Sequence, residues 1–256
     1  MIVILIDVHC HANLYLTLED IIKEALDSEI KKVIAVAMSA LSQARIIDIS
    51  NRFDIIYPAL GIHPEEVRMN KNIENELDSI TKYIKSNKEK ICAIGEIGLD
   101  HHFIKNEKLY PLQKKIFEQM LKLAQDLRLP VNIHTKGAEK IVFDTLPSYQ
   151  IPNVNIHWYS GPEDVLKQGI ERGYYFSITP AVSYSPAVKK TVMMVDLEHL
   201  LLESDGPVEY RGKTGTPAMI RNVLSSIAKL KNIPDKQLEE QIYLNTKLIF
   251  PKIFEN

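Results

Sequence analysis

Asp7-Val8-His9-Cys10-His11 is the stretch best equipped for chemistry, and it follows directly on an apolar, β-branched run over residues 1–6. If that run is a buried strand, side chains two apart share a face, so Asp7, His9 and His11 are expected to point the same way. Two imidazoles projected side by side from a strand end make half of a metal site. Two solvent-facing histidines in a loop would fit the same letters equally well. The decision rests on whether further ligands arrive from other strand ends.

The elements that would deliver them can be read from hydrophobic patterning. Short apolar runs lie at 2–6, 32–36, 55–60, 91–94, 130–133, 154–156, 174–178 and 199–202. Helical patterns separate them at 18–28, 42–52, 73–86, 111–128, 137–146, 162–169 and 185–195, and two more follow at 217–229 and 234–250. The clearest helix is 111–128, where Leu112, Ile116, Met120 and Leu123 form one apolar stripe. Strands alternating with helices imply parallel pairing through right-handed crossovers. Eight such units in 256 residues predict a (β/α)8 TIM barrel, an α/β fold, with residues 1–256 as one domain. A doubly wound open sheet is the alternative, but no Gly-x-Gly-x-x-Gly turn follows the first strand.

Composition narrows the function. Hydrophobic content of 45% and charged content of 25% suit a globular protein. The formal net charge of −2 disfavours a protein that coats nucleic acid nonspecifically. A local phosphate site is still compatible with it if metal ions supply positive charge. No run approaches the ~20 apolar residues of a membrane helix, and the first apolar run lacks the basic flank of a signal peptide. The two cysteines, Cys10 and Cys92, make no disulfide framework and read as buried thiols, which suits a reducing cytoplasm.

In such barrels functional groups gather where the strands end. The first run ends at His9 and His11, the third runs into His63, and the fourth into Glu96. The fifth ends at His134, the sixth at His157, and the eighth runs into Asp205. Imidazoles with carboxylates suit zinc, manganese or magnesium better than calcium. Two ions sharing a bridging carboxylate are expected, with His9, His11 and Asp205 on one, His134 and His157 on the other, and Glu96 between them. Asp7 is expected to orient an imidazole rather than to bind metal.

The ordered set of motifs resembles the TatD family of metal-dependent deoxyribonucleases, among the amidohydrolase-like barrels. Besides the opening motif, the matching stretches are Gly61-Ile62-His63-Pro64, Gly95-Glu96-Ile97-Gly98-Leu99-Asp100 and Leu129-Pro130-Val131-Asn132-Ile133-His134. His157-Trp158-Tyr159-Ser160-Gly161, Glu203-Ser204-Asp205 and the segment from Asn245 to Phe250 complete it. The resemblance covers essentially the whole chain. It implies the barrel, the same ligand set and hydrolysis of phosphodiester bonds, usually in DNA. Lys136 stands where the family often has arginine, Trp158-Tyr159 replace a usual cysteine-phenylalanine pair, and Ser204 replaces threonine. Gly215-Thr216-Pro217 replaces asparagine-glutamate-proline. These departures leave the ligand set intact and surround the substrate.

The expected reaction is attack of a metal-bound hydroxide on phosphorus, with Asp205 and Glu96 as catalytic carboxylates and single-stranded DNA trimmed from its 3′ end. His63, Lys136 and Arg211 are expected to neutralise phosphate charge. Trp158 and Tyr159 either stack a base or pack beneath a rim loop. Of His101 and His102 at least one is expected to be a solvated loop residue, and His199 to be structural, at the opposite rim. An aminoacyl-tRNA deacylase or other metal-dependent esterase, and a metal-binding module without turnover, are the competing functions.

Overall fold

In a computed structural model that describes residues 3–255, the alternation becomes eight parallel strands paired in strict sequence order. They are β1 (Leu5–Cys10), β2 (Ile30–Val36), β3 (Ile56–Leu60), β4 (Ala93–Asp100), β5 (Val131–Lys136), β6 (Val154–His157), β7 (Tyr175–Ile178) and β8 (Leu200–Leu202). Helices α1 (Leu18–Asp27), α2 (Ala40–Ser50), α3 (Glu66–Met69), α4 (Ile73–Ser86) and α5 (Tyr110–Leu127) separate the first five strands. Then come α6 (Glu139–Thr145), α7 (Glu163–Glu171) and α8 (Pro186–Met194), with α9 (Ile220–Lys231) and α10 (Asp235–Ile249) last. This is the (β/α)8 barrel, nearly closed.

Local chemistry explains the boundaries. In α5, Pro111 sits in the first turn, where its missing N–H costs nothing, and Ile116, Met120 and Leu123 are buried. Arg128 then adopts φ 54°, a left-handed stop. Helix α2 starts at Ala40, earlier than its apolar pattern suggests, because the Ser39 hydroxyl accepts from the Ser42 amide. The short α3 and a hairpin of β9 (Glu209–Tyr210) and β10 (Lys213–Thr214) have no counterpart in the hydrophobic pattern.

The first strand lies later in the chain than expected. It begins at Leu5 and runs through Cys10, so the metal-ligand motif lies largely inside it; Ile2 of the expected run is outside the described residues. The β1–β2 register shifts between Asp7 and Cys10, and such an irregularity breaks strict alternation. Asp7 therefore turns away from the histidines instead of sharing their face. Its Oδ1 accepts from the backbone amides of His9 (3.2 Å) and Ser204 (2.9 Å), and its Oδ2 from the Ser204 hydroxyl. These bonds lie on the seam between the first and last strands. Backbone bonds from Asp205 N to His9 O (2.9 Å) and from His11 N to Gly206 O (2.8 Å) continue it.

The opposite mouth is closed by the C-terminal segment. Ile249, Phe250 and Ile253 pack with Ile6, Ile34, Ala93 and Leu201 in a cluster inside the barrel. The Asn245 amide donates to Leu200 O at the start of β8, and Asn153, just before β6, donates to Leu248 O. Between β4 and β5 the backbones approach closely at Gly98, where φ is 152° and a Cβ would lie 1.9 Å from His134 O.

Burial pushes the Asp7 carboxyl up to about 7 against the opposing hydrogen bonds of Ser204 and His9, so a neutral amide is tolerated there. Asp7→Ala strands several buried donors and is expected to cost about 3–5 kcal/mol, whereas Asp7→Asn loses under about 2 kcal/mol. Denaturant unfolding of the two variants tests this, and equal losses would exclude the seam role.

Candidate metal centre

Glu96 projects from the middle of β4 into a ring of imidazoles. Its Oε2 lies 3.5 Å from both His9 Nε2 and His11 Nε2. Its Oε1 lies 3.0 Å from His134 Nδ1, 3.6 Å from His63 Nε2 and 3.7 Å from His157 Nε2. Asp205, just beyond β8, places Oδ1 3.5 Å from His9 Nε2 and 3.3 Å from His11 Nε2. The fold thus brings together His9, His11, Glu96, His134, His157 and Asp205 from five strands and the residues just beyond them. Asp205 (φ 47°) and Trp158 (φ 40°) hold left-handed backbone, rare for such residues and commonest at functional sites.

The donor set fits divalent ions. Potential ligand atoms of His9, His157 and Asp205, of His9, His11 and Glu96, and of His63, Glu96 and His134 lie within 4.8 Å of one another in each trio. His9 Nε2 and Glu96 Oε2 are buried and have no hydrogen-bond partner. Orphaned polar atoms at this depth are costly unless a cation lies between them. Nitrogen and carboxylate donors together suit zinc or manganese.

Electrostatics agree with a cation site. Burial alone would raise Glu96 and Asp205, but the surrounding imidazoles hold both carboxyls below their usual range. Burial opposes charge on His134 as well, yet its bonds to Asp100 and Glu96 carry it up to about 9 in the metal-free protein. His63 goes the other way, down to about 3, through burial and the neighbouring His134 and His11 against the pull of Glu96. Its Nδ1 accepts from the Glu65 amide at 3.2 Å, which leaves Nε2 toward Glu96 and His134.

A second layer of polar groups orients the rings. His9 Nδ1 meets Asn132 Oδ1 at 2.9 Å, and that amide is held by donating to Val8 O. His157 Nδ1 meets Glu203 Oε1 at 3.0 Å, and Glu203 also accepts from Trp158 N and the Ser177 hydroxyl. His134 Nε2 meets Asp100 Oδ2 at 2.9 Å. In each case one ring nitrogen is tied back, which leaves the other aimed at the carboxylates. Asp7, expected to orient an imidazole, instead contacts backbone amides and the Ser204 hydroxyl. Strand parity marks Asn132, Glu203 and Asp100 as candidates, though not which ring each one holds. Asn132 lies two residues before His134, Glu203 two before Asp205, and Asp100 four after Glu96.

A cavity of about 480 Å³ opens over the centre, lined by His63, Lys136, Trp158 and Phe103 among others. Lys136 Nζ donates to Ser160 Oγ at 2.7 Å. His102 is exposed at this cavity, while the His101 ring stacks on Tyr110 with centroids 3.5 Å apart. Tyr159 is buried and donates to Pro162 O, so it packs beneath the rim and stacks no base. Arg211 does not line this cavity. Its guanidinium lies 4.5 Å from the Tyr184 ring, in a separate pocket, because the hairpin carries it past the rim. His199 closes the turn before β8, at the far end of that strand from Asp205.

Asp100→Asn keeps the acceptor used by the His102 and Phe103 amides but weakens the hold on His134. It is expected to lower metal affinity by about 10–100-fold. Competition with a chromogenic chelator reads this, and wild-type affinity in the folded variant would refute the orienting role.

The TatD-related DNase family model matches residues 6–251. The chain is 30% identical to an uncharacterized metal-dependent hydrolase of Methanocaldococcus jannaschii, over 96% of this chain and 97% of that one. It is 28% identical to Deoxyribonuclease TATDN3 of Homo sapiens, over 97% and 95% of the two chains. The crystal structure of YjjV, a TatD homologue from Escherichia coli, superposes with a TM-score of 0.88 at 23% identity, covering 96% of this chain and 98% of that one. The chain belongs to the TatD-related DNase family of metal-dependent hydrolases.

Proposed function

We propose that residues 1–256 act as one domain that hydrolyses phosphodiester bonds in DNA, trimming single strands from the 3′ end with two divalent ions. The observation that carries this reading is a buried carboxylate, Glu96, with histidines on both of its oxygens. His9, His11 and Asp205 would hold one ion and His134 and His157 the other, with Glu96 shared; zinc, manganese and magnesium all fit the reading. Such ions supply Lewis acidity, polarising the ester and lowering the pKa of water to roughly 7.

The chain's own groups do the rest. Asp205, held below its usual pKa by neighbouring imidazoles, is ionised and takes the proton from the attacking water at its carboxylate. Lys136 contacts a phosphate oxygen as a point charge, without the two-pronged grip of arginine. His63, neutral, offers a hydrogen bond to the same group. The Trp158 ring, half-buried at the cavity wall, offers a stacking face to a base. The unpaired thiols of Cys10 and Cys92 support a reducing, cytoplasmic setting, and no helix among the described residues is long and apolar enough to cross a membrane.

One observation favours a second reading. Among the described residues Lys136 is the only lysine or arginine in the wall of this cavity, and cleavage of an uncharged ester, such as an aminoacyl ester on tRNA, needs fewer cations. End-labelled single- and double-stranded DNA and an aminoacyl-tRNA, each tested with manganese, magnesium or zinc restored after chelation, separate the two. DNA trimming with restored metal is expected; ester cleavage without nuclease activity under any metal overturns the proposal.

Two variants refine it. Glu96→Gln keeps the size of the side chain but removes its charge, and is expected to lower kcat at least about 10²-fold with loss of bound metal. Full turnover by the metal-loaded variant would exclude a shared-ligand role. Lys136→Met is expected to raise KM on DNA by about 10-fold, with kcat changed less; an unaltered KM would remove Lys136 from the phosphate site.

A further inference from the structure

Beside the metal cavity lies another of about 340 Å³, enclosed by the Pro180–Ser183 turn with Tyr184, the β9–β10 hairpin, and the first turns of α9. We propose that it binds a further nucleotide of the same single DNA strand, taking a phosphate on Arg211 and Lys213 at a distance from the bond being cut. This rests on the phosphodiester reading above and deepens it, since it makes the substrate a strand rather than a small ester.

Charge is the first argument. Among the described residues, two cations line this cavity and no carboxylate does. The ion pairs formed by lysines and arginines among the described residues all lie elsewhere. In a chain with a formal net charge of −2, an uncompensated pair of cations beside an anion-cleaving centre is a local exception, of the kind that tracks a phosphate backbone.

The second argument is preorganisation. Tyr210 pairs with Lys213 across a two-residue turn, Arg211 (φ 52°) and Gly212 (φ 78°), which are the paired positive φ values of a type I′ hairpin. Such turns favour asparagine or glycine at the first of these positions, and arginine there breaks the local preference. Its guanidinium is then laid on the Tyr184 ring, 4.5 Å from the centroid. A stacked guanidinium keeps its edge N–H groups free for phosphate oxygens while losing much of its rotamer freedom.

The third is continuity with the metal centre. Val208 lines the metal cavity, and Tyr210 and Arg211, two and three residues on, line the second. The Tyr210 ring lies 5.6 Å from that of Trp158 and is anchored by donating to Ser204 O. Trp158 and Tyr210 thus form the partition over which a strand would pass from one cavity to the next. Asn222 and Ser226 of α9 supply neutral hydrogen-bonding groups to the far wall.

The test uses the full chain in chelator, so that binding is read without turnover, with a fluorescent thymidine dinucleotide and a fluorescent twelve-nucleotide oligothymidylate as probes. Arg211→Asn with Lys213→Ala removes both cations while respecting the left-handed backbone, since asparagine tolerates positive φ. Wild type is expected to prefer the longer probe by about 10-fold or more. The double variant should reduce that preference to less than about 3-fold and make the slope of log affinity against log salt shallower by about 1.4, two single-strand phosphate contacts at ~0.7 each. Lys213→Glu alone, which leaves the turn untouched, should move both quantities in the same direction. Wild-type preference and slope in the folded variants overturn the subsite while DNA cleavage by the wild type stands. A wild type that binds neither probe yet cleaves aminoacyl-tRNA overturns the phosphodiester reading and the subsite together.

Discussion

A carboxylate taken out of water loses hydration worth several kcal/mol even after the protein relaxes around it. Glu96 is 2% exposed, and what offsets that loss is a set of imidazoles on both of its oxygens. The rest of the architecture follows from keeping them there. Their backbones must end at one rim, which a barrel of parallel strands provides, and Glu96 must come from a strand between the others. The close approach of β4 to β5 at Gly98 brings His134 to 3.0 Å. A side chain at that glycine would drive the two strands apart.

The rings must also be turned correctly, and that work falls to groups one layer out. Asn132, Asp100 and Glu203 each tie back one imidazole nitrogen, and each is itself held by backbone or hydroxyl partners. The metal centre is therefore continuous with the hydrogen bonding of the barrel interior. The same is true of the seam. Asp7 and Ser204 bind the first strand to the loop that carries Asp205, so barrel closure and the placement of that carboxylate depend on the same few bonds.

Charge is distributed unevenly around the rim. The metal cavity carries histidines, carboxylates and one lysine, so positive charge there comes chiefly from whatever ions the site holds. Two protein cations lie instead beyond the Trp158–Tyr210 partition, on a hairpin and stacked against a tyrosine. This division suits a substrate that is cut at one place and held at another. It also gives physical content to the departure at Trp158, which lines the metal cavity with its ring 5.6 Å from that of Tyr210.

Periodicity was enough to read the barrel, because eight apolar runs separated by amphipathic helices leave few ways to bury every face. The six convergent histidines and carboxylates were legible for a related reason: each lies within five residues of the end of an apolar run, and parallel strands place such positions toward one rim. The orientation of Asp7 was not legible, since a register irregularity inside β1 undoes the two-residue alternation from which it was inferred. Neither was the pairing of His9 with Asn132, 123 positions apart, or of His157 with Glu203, 46 apart, because cross-strand neighbours leave no local pattern. Arg211 shows the limit most plainly. Its sequence context suggested a solvated loop or the metal-site phosphate, and only the positive-φ turn of the folded hairpin lays it on Tyr184 in a cavity of its own. Residue types and their convergence from successive strands were thus determined by the sequence alone. Which partners they face was decided by strand register and turn geometry, which exist only once the chain has closed on itself.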